Sequence, residues 1–177
     1  FLKLEAAASI GHGILAPSEE ERAALIAAWE GYKAEGHDIV KFVPASGAAS
    51  RMFKDVFAFL DAEYDTPQTD FEKMYFDNIH NFAFFSLLND MCVKREGKDI
   101  DTLIAEGNYK AVVANMLKKE GLNYGQLPKG LLQFHTYGDS SRTPIEEHLV
   151  EGALYAESKS AVNIHFTVSP EHRTLFE

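Results

Sequence analysis

Residues 38–45 (DIVKFVPA) form a short apolar run between turn signals. They lead directly into Ser46, Gly47, Ala48, Ala49 and Ser50, after which a helical pattern begins at Arg51. Ile39, Val40, Phe42 and Val43 suit a strand buried on both faces, as strands of parallel sheets are. A strand that ends in small side chains and then turns into a helix lets backbone N–H groups approach an anion. The helix N-terminus adds partial positive charge at the same place. Arg51 stands at the mouth of this loop, where a guanidinium can fork onto phosphate oxygens. The Gly-Lys-Ser/Thr ending of a kinase-type phosphate loop is absent, as is the Gly-x-Gly-x-x-Gly dinucleotide fingerprint. Taken alone, the loop is equally compatible with tight packing of a strand against a helix.

A parallel strand needs a partner reached by a crossover. Residues 161–168 (AVNIHFTV) alternate and supply that second strand. The strand–helix–strand order predicts an α/β fold with a parallel sheet. Residues 1–16, with Gly11 and Gly13, read as a loose lead-in. Ser18 and Glu21 form a capping box for a helix with Leu25, Ile26, Trp29 and Tyr32 on one face, ending at Gly36. The helix after the loop is expected over Arg51–Glu63, with Met52, Phe53, Val56, Phe57 and Leu60 inward. Thr69 and Glu72 make a second capping box, and the apolar spacing carries that helix to about Arg95. Further helical patterns cover Ile100–Ala105 and Tyr109–Lys119, the latter stopping at Gly121. Leu131–Phe134 reads as a short strand and Tyr137–Arg142 as a polar turn. Thr143, Pro144 and Glu146 open another capped helix, whose apolar face continues through Val150, Leu154 and Tyr155. Ser169-Pro170-Glu171 starts a last one. The helical stretch after the loop runs for about 70 residues, far beyond an ordinary βα connection. Its middle, about residues 64–126, reads as a helical insertion in a domain spanning residues 38–177, with residues 1–37 as lead-in and helix.

Charge narrows the partners. The 17 Lys and Arg stand against 27 Asp and Glu, a net charge of −10. That balance argues against DNA, RNA and anionic membrane, where affinity comes from Lys and Arg displacing counterions. A single nucleotide needs only a few local cations, so it stays compatible. No stretch reaches the roughly 20 apolar residues that span a bilayer. The single cysteine, Cys92, lies in an apolar helical pattern and reads as a buried inert thiol, which fits a reducing cytoplasm. The chain opens on Phe1, so an upstream start, with or without a signal peptide, stays open. The seven histidines show no metal-ligand spacing, and no metal ligand is expected within these residues.

A second cation sits farther along, in Pro128-Lys129-Gly130, a rigid loop before an apolar run. Lysine is a compact cation suited to a phosphate or to developing negative charge. The pieces PASGAASRM (44–52), LPKGLLQF (127–134), TPIEEHLVEGAL (143–154) and VNIHFTVSPEH (162–172) then follow in order. Together they resemble the nucleotidyltransferase superfamily of the glycosyltransferase-A-like fold, which opens with a pattern like Ala-Gly-Gly-x-Gly-Thr-Arg-Met and later carries Pro-Lys before apolar residues. Its sugar-phosphate and cytidylyl-transferring branches both look similar, the second slightly more so through RTPIEEHLVEGAL. The chain is also similar to the N-terminal part of a large uncharacterised protein family of Bacteroidetes grouped with this fold.

The resemblance implies a parallel-sheet, Rossmann-like nucleotide-binding half-domain carrying a large helical insertion. In it, Ala45, Ser46, Gly47, Ala48, Ala49 and Ser50 wrap the phosphates and base edge of an NTP. Arg51 and Lys129 bind the triphosphate and stabilise charge as pyrophosphate leaves. The implied reaction transfers a nucleotidyl group to a phosphorylated small molecule such as a sugar phosphate, with magnesium bridging phosphate oxygens. The superfamily's metal-holding aspartates lie on later strands, so the expectation places them beyond residue 177 and makes this segment inactive alone. Ala49 stands where the superfamily carries its second loop glycine. Two other readings stand beside this one: a binding module that kept the fold and lost catalysis, and a structural domain whose loop only packs. Lys54, His135 and the turn Asp139-Ser140-Ser141-Arg142 are lesser candidates for ligand contact. The Phe-rich stretch from Phe71 to Phe85 is expected in the core, and any large exposed part of it would mark a homo-oligomer contact.

Overall fold

The capping boxes expected from sequence form, because each depends only on neighbours in the chain. The structure is a computed structural model and describes residue 3, residues 5–45 and residues 47–177. Two-residue pairings, β1 (Ser9–Ile10) and β2 (Gly13–Ile14), mark the lead-in. Helix α1 (Glu19–Ala34) starts on its box: the Glu21 amide donates to Ser18 Oγ and the Ser18 amide donates to the Glu21 carboxylate. Gly36, at φ 75°, turns the chain out of the helix. The apolar stripe of α1 is not buried, for Leu25 and Ile26 are both exposed. Trp29 ties the helix down instead, its indole N–H donating to the Tyr155 carbonyl at 2.8 Å.

Strand β3 (Val40–Pro44) pairs in parallel with β7 (Ala161–Thr167), from Val40 opposite Asn163 to Pro44 opposite Thr167. The short β6 (Glu157–Ser158) adds antiparallel to the far side of β7, giving the order β3-β7-β6. Parallel pairing matches the expectation; burial on both faces does not. Helix α7 (Pro144–Tyr155) covers one face only. A Cβ on Gly152 would come within 2.7 Å of Ile164 Cδ1 and 3.0 Å of Val162 Cγ1, so glycine sets how closely α7 approaches the sheet. On that face Ile39 and Val43 are buried, whereas Val40 and Phe42 on the other remain 59% and 63% exposed. The Phe42 ring there stacks on His165 at 5.2 Å.

The main core lies in the helices between the loop and Lys129. They are α2 (Lys54–Asp61), α3 (Asp70–Asp77), α4 (Phe85–Glu96), α5 (Ile100–Ala105) and α6 (Tyr109–Leu117). Phe53, Phe59, Phe76, Leu88, Cys92, Ile100, Val112, Met116 and Leu132 are buried in one cluster. Helix α2 starts later than expected because residues 49–53 form a bend and turns; Met52 stays outside the buried core, which Phe59 fills instead. The single long helix expected from Thr69 to about Arg95 is two. Asn78 ends α3 by donating from both its backbone N–H and its side-chain amide to the Met74 carbonyl, and a 3-10 turn at Ile79–Asn81 precedes α4. Apolar spacing runs through this break because both helices face the same core.

At the end of α6 the chain folds back so tightly that a Cβ on Gly121 would sit 2.0 Å from the Asn115 carbonyl oxygen, leaving room for glycine alone. The expected strand at Leu131–Phe134 is displaced. Lys129–Leu131 is a 3-10 turn, and the strands are β4 (His135–Tyr137) and β5 (Ser140–Arg142), a hairpin turning through Gly138 at φ 57°. The segment expected as a polar turn is thus most of a hairpin. A 3-10 turn at Pro170–His172 and the short α8 (Arg173–Phe176) close the chain. The architecture is mixed α/β, and its three-stranded sheet contains the parallel β3–β7 pair. Among the described residues, no helix is long and apolar enough to cross a membrane.

Candidate anion site at the strand–helix junction

The loop after β3 and the segment around Lys129 meet. The Lys129 amide donates to the Gly47 carbonyl at 2.9 Å, and Ala48 bridges to Pro128. Pro128 is fully buried, which anchors the second segment, while the side chain of Lys129 is exposed beside it. The Ala45 amide is spent on the sheet, donating to the Thr167 carbonyl at 2.8 Å. Together Val43, Pro44, Ala45, Gly47, Lys129, Gly130, Pro144, Ile145 and His148 enclose a concavity of about 180 Å³.

The expected site residues separate into groups here. Ala45, Gly47 and Lys129 line the concavity. Among the described residues, nothing lies within 4 Å of where a Cβ on Gly47 would stand, so its backbone is open to approach. Ala49 turns the other way and is buried in the helical core, which fits the absence of a glycine at that place. Ala48 and Ser50 are exposed. Ser46 lies outside the described residues. Arg51 is exposed and lies outside the concavity's wall. The helix that follows, α2, has Phe53 at its N-cap and so no side-chain cap.

Among the wall residues not expected from sequence, His148 carries a side chain that can bind a ligand. His148 projects from α7 and is about one-third exposed. Its Nδ1 lies 3.2 Å from Glu151 Oε2, and the same carboxylate pairs with Lys41 from β3. The Lys41 ammonium also sits 4.9 Å over the Tyr155 ring. Burial pulls the Lys41 ammonium down, but Glu151 and Tyr155 together outweigh it and the net shift is upward. The Glu151 carboxyl is held below its usual range, first by Lys41 and also by His148. A carboxylate fixed in this way orients the imidazole and leaves Nε2 as the nitrogen that can face a ligand. The spacing His148-x-x-Glu151 places both on one helix face and was readable within the RTPIEEHLVEGAL stretch.

The start of α7 also borders the concavity, and its capping box engages the Thr143 and Glu146 amides. The Thr143 amide donates to Glu146 Oε2 at 2.6 Å and the Glu146 amide to Thr143 Oγ1 at 3.3 Å. The Thr143 amide is the main reason the Glu146 carboxyl is held low. Of the lesser candidates, Lys54 and Asp139 are exposed, whereas Ser141 and Arg142 are engaged by neighbours. Ser141 Oγ donates to Gln133 at 2.8 Å, and Arg142 lies 4.4 Å over the Tyr137 ring with Glu147 3.7 Å away. Glu147 pushes the Tyr137 phenol up. His135 is exposed, and Cys92 is fully buried, with burial and then Glu96 raising its thiol to about 11. A thiol so placed is a poor nucleophile.

The concavity's described wall carries no carboxylate, and no group of three His, Cys, Asp or Glu suited to a metal occurs among the described residues. These residues do not fit a protein-held magnesium site.

The family model described as a domain of unknown function, DUF4301, matches residues 1–177, and the chain belongs to that family. Comparison with curated proteins and with solved structures finds no match.

Proposed function

We propose that the junction of β3, its small-residue loop and the Lys129 segment binds the phosphate groups of a nucleoside triphosphate. In this reading the chain is the NTP-binding segment of a nucleotidyltransferase-like α/β domain of glycosyltransferase-A-like, Rossmann-like architecture. The observation that carries the reading is the meeting of the two motif segments, where the Lys129 amide holds the Gly47 carbonyl at 2.9 Å. The parallel β3–β7 pair, with the loop leaving the carboxyl end of β3, supports it further, since ligands of open α/β sheets bind outside those ends. Lys129 supplies the cationic side chain, His148 adds a ring nitrogen that can hydrogen bond, and Gly47 allows close backbone approach. The full-length reaction would move a nucleotidyl group to a phosphorylated small molecule and release pyrophosphate. Magnesium, where used, would be carried by the nucleotide's own phosphates on this side of the site. The net charge of −10 disfavours nucleic acid and anionic membrane as partners, and a lone buried thiol supports a cytoplasmic setting.

The position of Arg51, outside the concavity, favours a second reading: a nucleotide or sugar-phosphate binding module without catalysis. Thermal titration with each NTP, with and without magnesium, tests the shared claim. Binding should raise the melting temperature by mass action. Lys129→Ala should weaken the preferred NTP roughly 10- to 100-fold, the loss of about 1.5–3 kcal/mol from a charge-assisted hydrogen bond. No stabilisation by any NTP, or an unchanged response in Lys129→Ala, contradicts the site. Pyrophosphate release on adding sugar phosphates would then separate catalysis from binding alone.

A further inference from the structure

The largest change from the sequence expectation in the helical region is the break between α3 and α4, and it opens a pocket. Where a continuous helix is expected, Asn78–Phe84 leaves helical geometry for a 3-10 turn and a short bend. Asn81, Phe82, Ala83 and Phe84 of this bend form one wall of a cavity of about 360 Å³. Phe71 and Tyr75 of α3, Met52, Phe53 and Val56 around the start of α2, and Phe134 with Thr136 complete it. A volume of this size admits a small molecule and not a protein helix.

The lining chemistry is consistent. Phe82 and Phe84 stack on each other at 5.1 Å with planes 13° apart, and Tyr75 lies 5.3 Å from Phe82. The Tyr75 hydroxyl is turned away into the core, where it donates to Met116 Sδ at 3.2 Å, so the ring contributes apolar surface. Burial pushes its phenol far up, and the group stays neutral. Polar groups come only from Asn81 and Thr136, both exposed. An apolar interior with one or two polar groups at the edge selects a planar apolar body bearing a single polar substituent.

We propose that this pocket binds the aromatic portion of a small molecule, with Asn81 or Thr136 hydrogen bonding its polar edge. The site is separate from the Gly47–Lys129 concavity and does not depend on nucleotide binding there. Its two flanking segments, Met52–Phe53 and Phe134–Thr136, continue the chain from Gly47 and Lys129, so both sites share the same two stretches of backbone.

The test uses the full chain and 2-naphthol, a planar two-ring compound with one hydroxyl. Titration is followed by the methyl NMR signals of Met52 and Ala83, which both line the pocket. Saturable shifts of both methyls are expected. Ala83→Trp, which fills the space from within, should weaken binding at least tenfold while the folded spectrum is kept. Met52→Trp narrows the mouth from an exposed position and gives the same weakening should Ala83→Trp disturb folding. Absence of saturable shifts at both methyls overturns the proposal, as does unchanged affinity in a folded Met52→Trp variant. Because 2-naphthol has no phosphate, these results are independent of any outcome with NTPs.

Discussion

The helical region and the sheet both carry large apolar side chains, yet they treat them differently. In the helices Phe59 and Leu88 are 1% and 0% exposed and lie in one continuous cluster. In the sheet, one face meets α7 while the other leaves Phe42 more than half exposed. The helices pack on one another and form a closed core, whereas the sheet has one covering layer and relies on it. Stability should therefore reside in the helical region, and the sheet should act as the frame that holds the β3 loop against Lys129. The Gly47–Lys129 concavity sits on the border between the two. Its loop leaves β3 at one end and enters the helical core through Ala49 and Phe53 at the other.

That contrast can be broken most directly at Phe59. Phe59→Ala should cost about 3–5 kcal/mol, the usual loss for a fully buried aromatic, and chemical denaturation would measure it. A loss below about 1 kcal/mol would mean that the helical core is not the main source of stability. Next in size is Glu72, a buried carboxylate at the start of α3. It accepts from the Gln68 amide at 2.7 Å, the Thr69 amide at 3.0 Å and the Tyr64 hydroxyl at 2.9 Å. Burial raises its carboxyl, but the amides of Gln68 and Thr69 and the Tyr64 hydroxyl outweigh burial, and the net shift is downward. A group lowered on folding contributes stability that is complete above its unfolded value, near 4.5, and is lost as pH falls through the folded value. Glu72→Gln should cost about 2–3 kcal/mol at neutral pH, and the gap from wild type should close in acid. A gap that stays constant down to strongly acid pH would contradict the assignment. The smallest effect belongs to the sheet's open face, where Phe42→Ser should change stability by no more than about 0.5 kcal/mol. A large loss there would show that this face is covered in solution and would blur the contrast.

The sequence made the local features readable. Three capping boxes, at Ser18, Thr69 and Thr143, occur where their residue pairs predict, because each involves groups three residues apart. The parallel pairing of β3 and β7 was readable from two apolar runs separated by helices. Exposure of Val40 and Phe42 was not, since strand composition does not say how many layers will cover a sheet. The break at Asn78 was hidden because the apolar spacing continues across it. At the site, the small-residue loop and Lys129 could be named from type and spacing, but their meeting depends on the buried Pro128 and the Gly47 carbonyl. The orientation of Ala49 into the core is likewise a packing outcome. His148 acquires its setting only when Lys41 of β3 reaches Glu151 across the α7–sheet interface.

The central claim is that the Gly47–Lys129 junction is where phosphate binds. Amide and imidazole NMR of the full chain during titration with the preferred NTP and magnesium addresses it most directly. The account predicts saturable shifts centred on Gly47, Lys129, Gly130 and the His148 ring, all lost in Lys129→Ala. Shifts confined to other surfaces, or none at these four positions at saturating nucleotide, would contradict it.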